Sequence, residues 1–276
     1  YRIEPRPKDD GYRVFEWSHD PNDRWPTGHA YGDWVRSQGY DLTELHKQPE
    51  GIPPHLHQTT WCADRAIDFM REAHTSPWLM SVNIFDPHAP FNPPQEYLDR
   101  YDPATLPGPT FRESDLAAQA KLAGVDFQHP ARHPDSFNAR WIQAAYYAMI
   151  EQIDDNVGRM MAALEETGQF ENTVVIFMSD HGETLGDHGL LLKGNRFYEG
   201  LVRVPLIFSW PGHFAEGLVS DALVELTDIA PTLLELAGLP PVEEGVGHSL
   251  LPILTGQADP HHHRDAVRCE YYRALN

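Results

Sequence analysis

Residues 174–195 constrain this chain more than any other stretch: V-V-I-F-M-S-D-H-G-E-T-L-G-D-H-G-L-L-L-K-G-N. An apolar, β-branched run, Val174 to Met178, stops abruptly at Asp180-His181-Gly182. Such a run reads as a strand buried on both faces of a mostly parallel sheet. Ligand sites in open α/β sheets lie beyond the carboxyl ends of strands of that kind. A carboxylate and an imidazole therefore fall on a turn at that end, beside a glycine. Those donors suit a metal ion. Lys193, thirteen residues after Asp180, suits an anion held against the metal.

The chain of 276 residues is long enough for one large α/β domain or two small ones, and with 41% hydrophobic residues it can bury a core. No run approaches the roughly 20 apolar residues of a membrane span. No secretory leader is visible at Tyr1, although Y-R-I-E-P-R does not read as a natural start. The formal net charge of −20 should repel nucleic acid and anionic membranes. An anionic substrate then has to be small, or the positive charge has to be concentrated at its site. The plainer reading of that charge is solubility or adaptation to high salt. Two cysteines, Cys62 and Cys269, make no disulfide framework and read as packing residues.

Residues 1–57, rich in Pro, Gly, Trp and His, read as a long ordered surface excursion with few regular elements. Trp61, Ala66, Phe69 and Met70 predict an amphipathic helix over Gln58 to Ala73. Trp78 to Phe85 is a second candidate buried strand, ending at Asp86-Pro87-His88. Pro87, Pro90, Pro93 and Pro94 then enforce an extended loop. Residues 99–135 read as an irregular insertion. The clearest helix is Ser136 to Thr167, where Phe137, Trp141, Ala145, Met149, Ile153, Val157, Met160 and Leu164 recur at three- and four-residue steps and Gly168 is the stop. Val202 to Trp210 predicts another strand, and Thr227 to Ala237 a helix capped by Thr227 or Asp228 and ended by Gly238. Residues 240–264 are loop-rich, and Ala266 to Tyr272 could begin a last strand. His261-His262-His263 reads as a solvated loop rather than a metal site.

The ordered words S-D-H-G-E-x-L-G-D-H-G, K-G and Y-E-G-x-V-R-V-P-L-I, from Ser179 to Trp210, resemble the sulfatase family of the alkaline-phosphatase superfamily. N-I-F-D-P-H-A-P-F-N-P-P, Asn83 to Pro94, is a second matching segment. The resemblance implies an α/β fold: a three-layer α/β/α sandwich with a mixed, mostly parallel sheet, incomplete in this chain. Residues 1–276 would form the later part of the catalytic domain, with 240–276 opening its C-terminal subdomain. The implied reaction is hydrolysis of a sulfate monoester, and a phosphonate monoester or phosphodiester hydrolase of the same superfamily is the alternative. A non-catalytic metal- or anion-binding fragment is the third reading.

By the same resemblance, Asp180 and His181 bind a divalent cation. Calcium is usual, and the imidazole makes manganese more plausible than an all-oxygen site would. The bland alternative is that Asp180 caps the turn and His181 packs. Lys193 matches a lysine that contacts a sulfate oxygen. His88 matches a histidine facing the ester, able either to donate a hydrogen bond to a sulfate oxygen or to protonate the leaving oxygen. Asp187 and His188 would orient His181 or line the pocket. Glu199 and Arg203 would brace the loop.

The family nucleophile is a cysteine or serine in C/S-x-P/A-x-R, matured to formylglycine. Neither Cys62-Ala63-Asp64-Arg65 nor Cys269-Glu270-Tyr271-Tyr272-Arg273 keeps that pattern. Asp9-Asp10 follows P-R-P-K rather than a strand, so it does not match the remaining metal ligands. No nucleophile is expected in this chain: it, its formylglycine and the other ligands would lie upstream, and the chain alone should be inactive. Loss of the first strands would leave a hydrophobic sheet edge for a partner copy to cover, a homo-oligomer. The expected partner is a sulfate ester, small molecule or saccharide, and the expected compartment is periplasmic or secreted.

Overall fold

The computed structural model describes residues 11–18, 29–48, 50–125, 128–242 and 245–270. In chain order its regular elements are the helices α1 (Ala30–Ser37), α2 (Leu42–Leu45), α3 (Gln58–Met70), α4 (Gln95–Leu98), α5 (Glu113–Ala120) and α6 (Ala139–Glu166). Strand β1 (Val175–Met178), helix α7 (Glu199–Val202), strand β2 (Leu206–Ser209), and helices α8 (Ile229–Leu236) and α9 (Leu251–Leu254) follow. They fall into two compact units. One comprises residues 1–109 and 135–167, the other 110–134 and 168–276. Asp9-Asp10 lies outside the described residues.

The first unit is helical. α6 runs for 28 residues, buries Ala145, Met149, Ile153 and Leu164 as the three-to-four-residue recurrence predicts, and ends where Gly168 takes a left-handed φ of 68°. Its buried stripe also takes in Ile142, Ala144 and Ala148, while Trp141 turns outward. The stripe therefore sits one position away from the aromatic residues at that end. α3 packs against α6, and α4 adds a hydrogen bond from Tyr97 Oη to Asp155 Oδ2 of 2.9 Å.

Residues 11–16 are exposed, as a surface excursion would be, but from residue 29 on the N-terminal segment is not one. Tyr31, Val35, Leu42, Leu45, Ile52 and Leu56 are buried and form a core with Trp61 of α3. Their spacing is helical, but each helix is too short to repeat its period, so the pattern stays hidden in the sequence. His29 and Asp41 cap the two helices, with the Asp41 carboxylate accepting from Glu44 N at 3.1 Å. Trp78 to Phe85 forms no strand. Its exposure still alternates residue by residue, as in an extended segment without a ladder partner.

The second unit holds the only strand pair among the described residues. β1 and β2 run antiparallel, with Val175 opposite Ser209 and Met178 opposite Leu206. This corrects the expectation of a mostly parallel sheet buried on both faces, and no sandwich forms among the described residues. Phe177, Met178 and Ile207 are exposed. An apolar run fixes strand character, whereas its partner and its covering layers are decided elsewhere in the chain. Residues 99–135 are not wholly irregular either, since α5 lies within them, and Arg112 N donates to Asp115 Oδ2 at its start, 2.9 Å.

α8 ends as predicted, with Gly238 at φ 67°, but its start differs: a 3₁₀ turn, Leu226–Asp228, leads into it, and the fully buried Asp228 accepts from Glu225 N at 2.8 Å at the start of that turn and makes no side-chain cap to α8. The same carboxylate accepts from His248 N at 2.8 Å and pairs with Arg264. The C-terminal segment is thereby tied to the start of α8. Residues 266–270 form no strand, and the rest of that expectation lies outside the described residues.

Candidate functional site

Asp180 and His181 stand immediately beyond β1, at its carboxyl end. Asp180 Oδ1 accepts from His181 N at 3.0 Å, and Ser179 Oγ donates to His181 O at 2.8 Å, so the turn is tied by its own side chains. The bland reading of Asp180 is thus partly met, but its side chain remains 86% exposed and open to a ligand. His181 Nδ1 lies 2.8 Å from Gly182 O. A carbonyl can only accept, so Nδ1 carries the proton and Nε2 the lone pair. That fixed tautomer is how metal-binding histidines are commonly oriented. His181 Nε2 is 3.8 Å from Asp180 Oδ2, so both donors face one place.

The turn is held from behind by a close backbone approach. Gly182 N donates to Leu201 O at 2.9 Å and Glu183 N to Gly200 O at 3.2 Å. A Cβ at Gly182 would sit 1.9 Å from Gly200 O, so no larger residue fits there. Residues 184–192 then fold back on themselves, with Thr184 giving both its N–H (3.2 Å) and its hydroxyl (2.8 Å) to Leu192 O. Lys193, at the end of this return, lies within electrostatic reach of Glu183 and Asp180. Burial lowers the Lys193 ammonium below its usual range, opposed by Glu183 and then Asp180. Burial raises the Glu183 carboxyl, opposed by the Thr184 and Leu185 amides and by Lys193. A cation partly stripped of water beside an Asp-His pair is suited to holding an anion.

Asp187 and His188 make their described contacts with the 110–134 segment and Tyr198. Asp187 Oδ1 accepts from Thr110 N at 2.6 Å, and His188 N donates to Thr110 O at 2.8 Å. The His188 ring stacks on Tyr198 at 3.9 Å, with Asp115 Oδ2 3.4 Å from its Nδ1. They dock the 110–134 segment. Gly189 belongs to the same joint, because a Cβ there would meet Arg132 O at 2.5 Å. Sequence reasoning missed the partners in this joint. Gln119 Nε2 donates to Tyr198 Oη at 2.6 Å, and the buried Arg196 donates through Nε to Gln119 Oε1 at 2.8 Å. A lone arginine three residues after Lys193 was the available signal. Among the described residues the Glu199 and Arg203 side chains pair only with each other, 3.9 Å apart and both more than 80% exposed, so they add little to holding the loop.

His88 belongs to the first unit. Its N–H donates to Phe85 O at 3.2 Å, and its Nδ1 lies 2.7 Å from Ala89 O, which again places the proton on Nδ1 and the lone pair on Nε2. Cys62 packs against the N-terminal core, and burial pushes its thiol up to about 12, the opposite of an activated nucleophile. Cys269 is exposed and free, not a packing residue. The histidine triplet is not a uniform solvated loop. His261 pairs with Asp221, and the partly buried His263 lies 3.4 Å from Asp228.

Among the described residues no three His, Cys, Asp or Glu side chains are arranged to hold a metal ion. Asp180 and His181 fit a divalent ion chemically, as one oxygen and one fixed-tautomer nitrogen donor, but supply only two ligands. An apolar pocket of about 320 Å³ adjoins them, between Met178 to Asp180 and Leu226, Ile229 and Leu233.

A strand-end Asp-His pair with a partly desolvated lysine has the chemistry that a metal-assisted, anion-handling site would need. The sulfatase family model matches residues 8–239. An arylsulfatase of Clostridium perfringens is 35% identical over 214 residues, 75% of this chain and 44% of that protein. PehA of Trinickia caryophylli, a multifunctional alkaline phosphatase superfamily protein, is 31% identical over 260 residues, 83% of this chain and 50% of that protein. The crystal structure of a phosphonate monoester hydrolase of Agrobacterium radiobacter superposes with a TM-score of 0.73 at 28% identity, covering 85% of this chain and 52% of that one. The chain belongs to the sulfatase family. It spans about half the length of the curated relatives it matches.

Proposed function

We propose that this chain is the later half of a sulfuric ester hydrolase, supplying one side of its active site. The observation that carries the proposal is the pairing of Asp180 and His181, with its fixed tautomer, next to the partly desolvated Lys193. Asp180 and His181 would hold a divalent cation, calcium or, given the imidazole, manganese. When bound, that ion supplies Lewis-acid neutralisation of the sulfuryl oxygens. Lys193 holds a sulfuryl oxygen and offsets the charge that builds there. By family resemblance His88 serves the ester oxygen, as donor to the bound group or as acid to the leaving alcohol, through Nε2 of the imidazolium, since its Nδ1–H is committed to Ala89 O. The nucleophile, a formylglycine by family resemblance, and the remaining ligands would come from sequence upstream. That upstream part would complete an alkaline-phosphatase-like sandwich over β1 and β2 or, failing it, a second copy would cover the sheet.

The second reading is a phosphonate monoester hydrolase. It is favoured by the likeness to phosphonate monoester hydrolases from Agrobacterium radiobacter and Silicibacter pomeroyi, at TM-scores of 0.73 and 0.72. The substrate is a small or saccharide sulfate ester in the first reading, and the compartment periplasmic or secreted by family analogy. No helix among the described residues is long and apolar enough to cross a membrane. The deciding experiment is a substrate panel, an aryl sulfate against an aryl phosphonate monoester, on a protein in which this chain follows a nucleophile-bearing half. Sulfate turnover lost in Asp180→Ala and reduced at least about 100-fold in Lys193→Ala is expected, the loss typical of removing one preorganised donor. Preference for the phosphonate would replace the first reading by the second. Turnover untouched by either substitution would overturn both.

A further inference from the structure

Thr59 is the second residue of α3 and completely buried. Its hydroxyl donates to Asp86 Oδ2 at 2.6 Å, across 27 residues of chain. Asp86 is itself buried, its side chain 3% exposed, with His57 Nδ1 3.6 Å away. Its charge is felt by Tyr31 and Cys62, both part of the N-terminal core. A carboxylate in such a place is costly, and an apolar pair of the same shape would stabilise the fold at least as well. Core packing therefore does not account for the pair. Its position does, because Asp86 stands two residues before His88 in the turn that His88 closes by donating its N–H to Phe85 O at 3.2 Å. Among the described residues no strand ladder holds the Phe85–Asp86–Pro87–His88 turn, since residues 78–85 form no strand. The charge-assisted hydrogen bond to α3, which packs on α6, replaces the ladder.

We propose that Thr59, through Asp86, is a positioning residue for His88, fixing the turn so that the ring keeps its Nδ1 proton against Ala89 O and Nε2 is the atom that gains and gives up the second proton. The role assigned to His88 rests on the reading above. The positioning itself does not, and its test needs no turnover.

The test is the side-chain ¹H–¹⁵N spectrum of His88 in the folded chain near pH 8, where an ordinary imidazole is neutral. The wild type shows one tautomer, with the proton on Nδ1. Thr59→Val, which removes only the hydroxyl, gives ring nitrogens averaged between tautomers. Thr59→Ser, which restores the donor, returns the wild-type pattern. Asp86→Leu removes the buried charge, so it folds even where Thr59→Val does not, and it also loses the tautomer. Val35→Ala, which opens a cavity in the same core without touching the turn, leaves His88 unchanged although it lowers stability. A folded Thr59→Val or Asp86→Leu with the wild-type His88 pattern overturns the proposal. So does loss of the pattern in Val35→Ala, or in a folded Thr59→Ser. His88→Ala in the sulfate assay tests the catalytic reading separately.

Discussion

At the scale of single residues, the site is a small exchange of burial against charge. Glu183, within electrostatic reach of Lys193, has its carboxyl raised by burial. A group raised in the folded state supports the fold fully below its unfolded value of 4.5, and that support is lost as pH rises through the higher folded value. Glu183→Gln keeps the shape and removes the charge. The melting-temperature difference between variant and wild type should be near zero at about pH 4 and favour the variant at about pH 7. The same substitution removes the largest influence holding Lys193 up, so its ammonium should titrate at still lower pH, read from its Nζ resonance. A variant less stable at neutral pH would mean that the Glu183–Lys193 attraction outweighs the burial of the carboxyl. Asp180, His181 and Lys193 were legible in the sequence because each stands at a fixed offset from the strand end. The burial of Glu183 and Arg196 was not, because it is created by residues far away in the chain, in the return of Gly200 and the docking of α5.

Secondary-structure elements divide in the same way. α3, α6 and α8 were legible because each repeats its apolar period or ends at a glycine. The antiparallel pairing of β1 with β2 was not, because a strand's partner is a nonlocal choice that an apolar run does not encode. Two glycines make this difference measurable. Gly182 joins the site turn to α7, and a Cβ there meets backbone that cannot yield. Gly182→Ala should cost roughly 3 kcal/mol or more in a denaturation midpoint series, or prevent folding, the upper range of overpacking. Gly158 lies inside α6, with nothing within 4 Å of its would-be Cβ. Gly158→Ala should instead stabilise by about 0.5–1 kcal/mol, through the unfolded chain and helix propensity. Equal effects from the two would mean that the Gly182–Gly200 approach is not part of the folded state.

For the molecule as a whole, the two halves of the expected chemistry separate. In the proposed reading, this chain would bring the anion-holding Lys193, the metal donors Asp180 and His181, and His88. Neither cysteine can serve as nucleophile: the Cys62 thiol is pushed up to about 12 by burial, and Cys269 lies outside any formylglycine context. Two donors on an exposed turn hold a dication weakly, because affinity grows with the number and rigidity of ligands. The isolated chain should therefore bind Ca²⁺ or Mn²⁺ no tighter than about the millimolar range, where sparse, open oxygen sites fall. Titration calorimetry reads this, and Asp180→Ala should abolish what binding there is. The isolated chain should also release no measurable alcohol from an aryl sulfate. Restoring a nucleophile-bearing half should raise both properties together, since the same upstream strands bring ligands and nucleophile. Robust turnover by the isolated chain, lost on Lys193→Ala, would show instead that a nucleophile lies within these 276 residues.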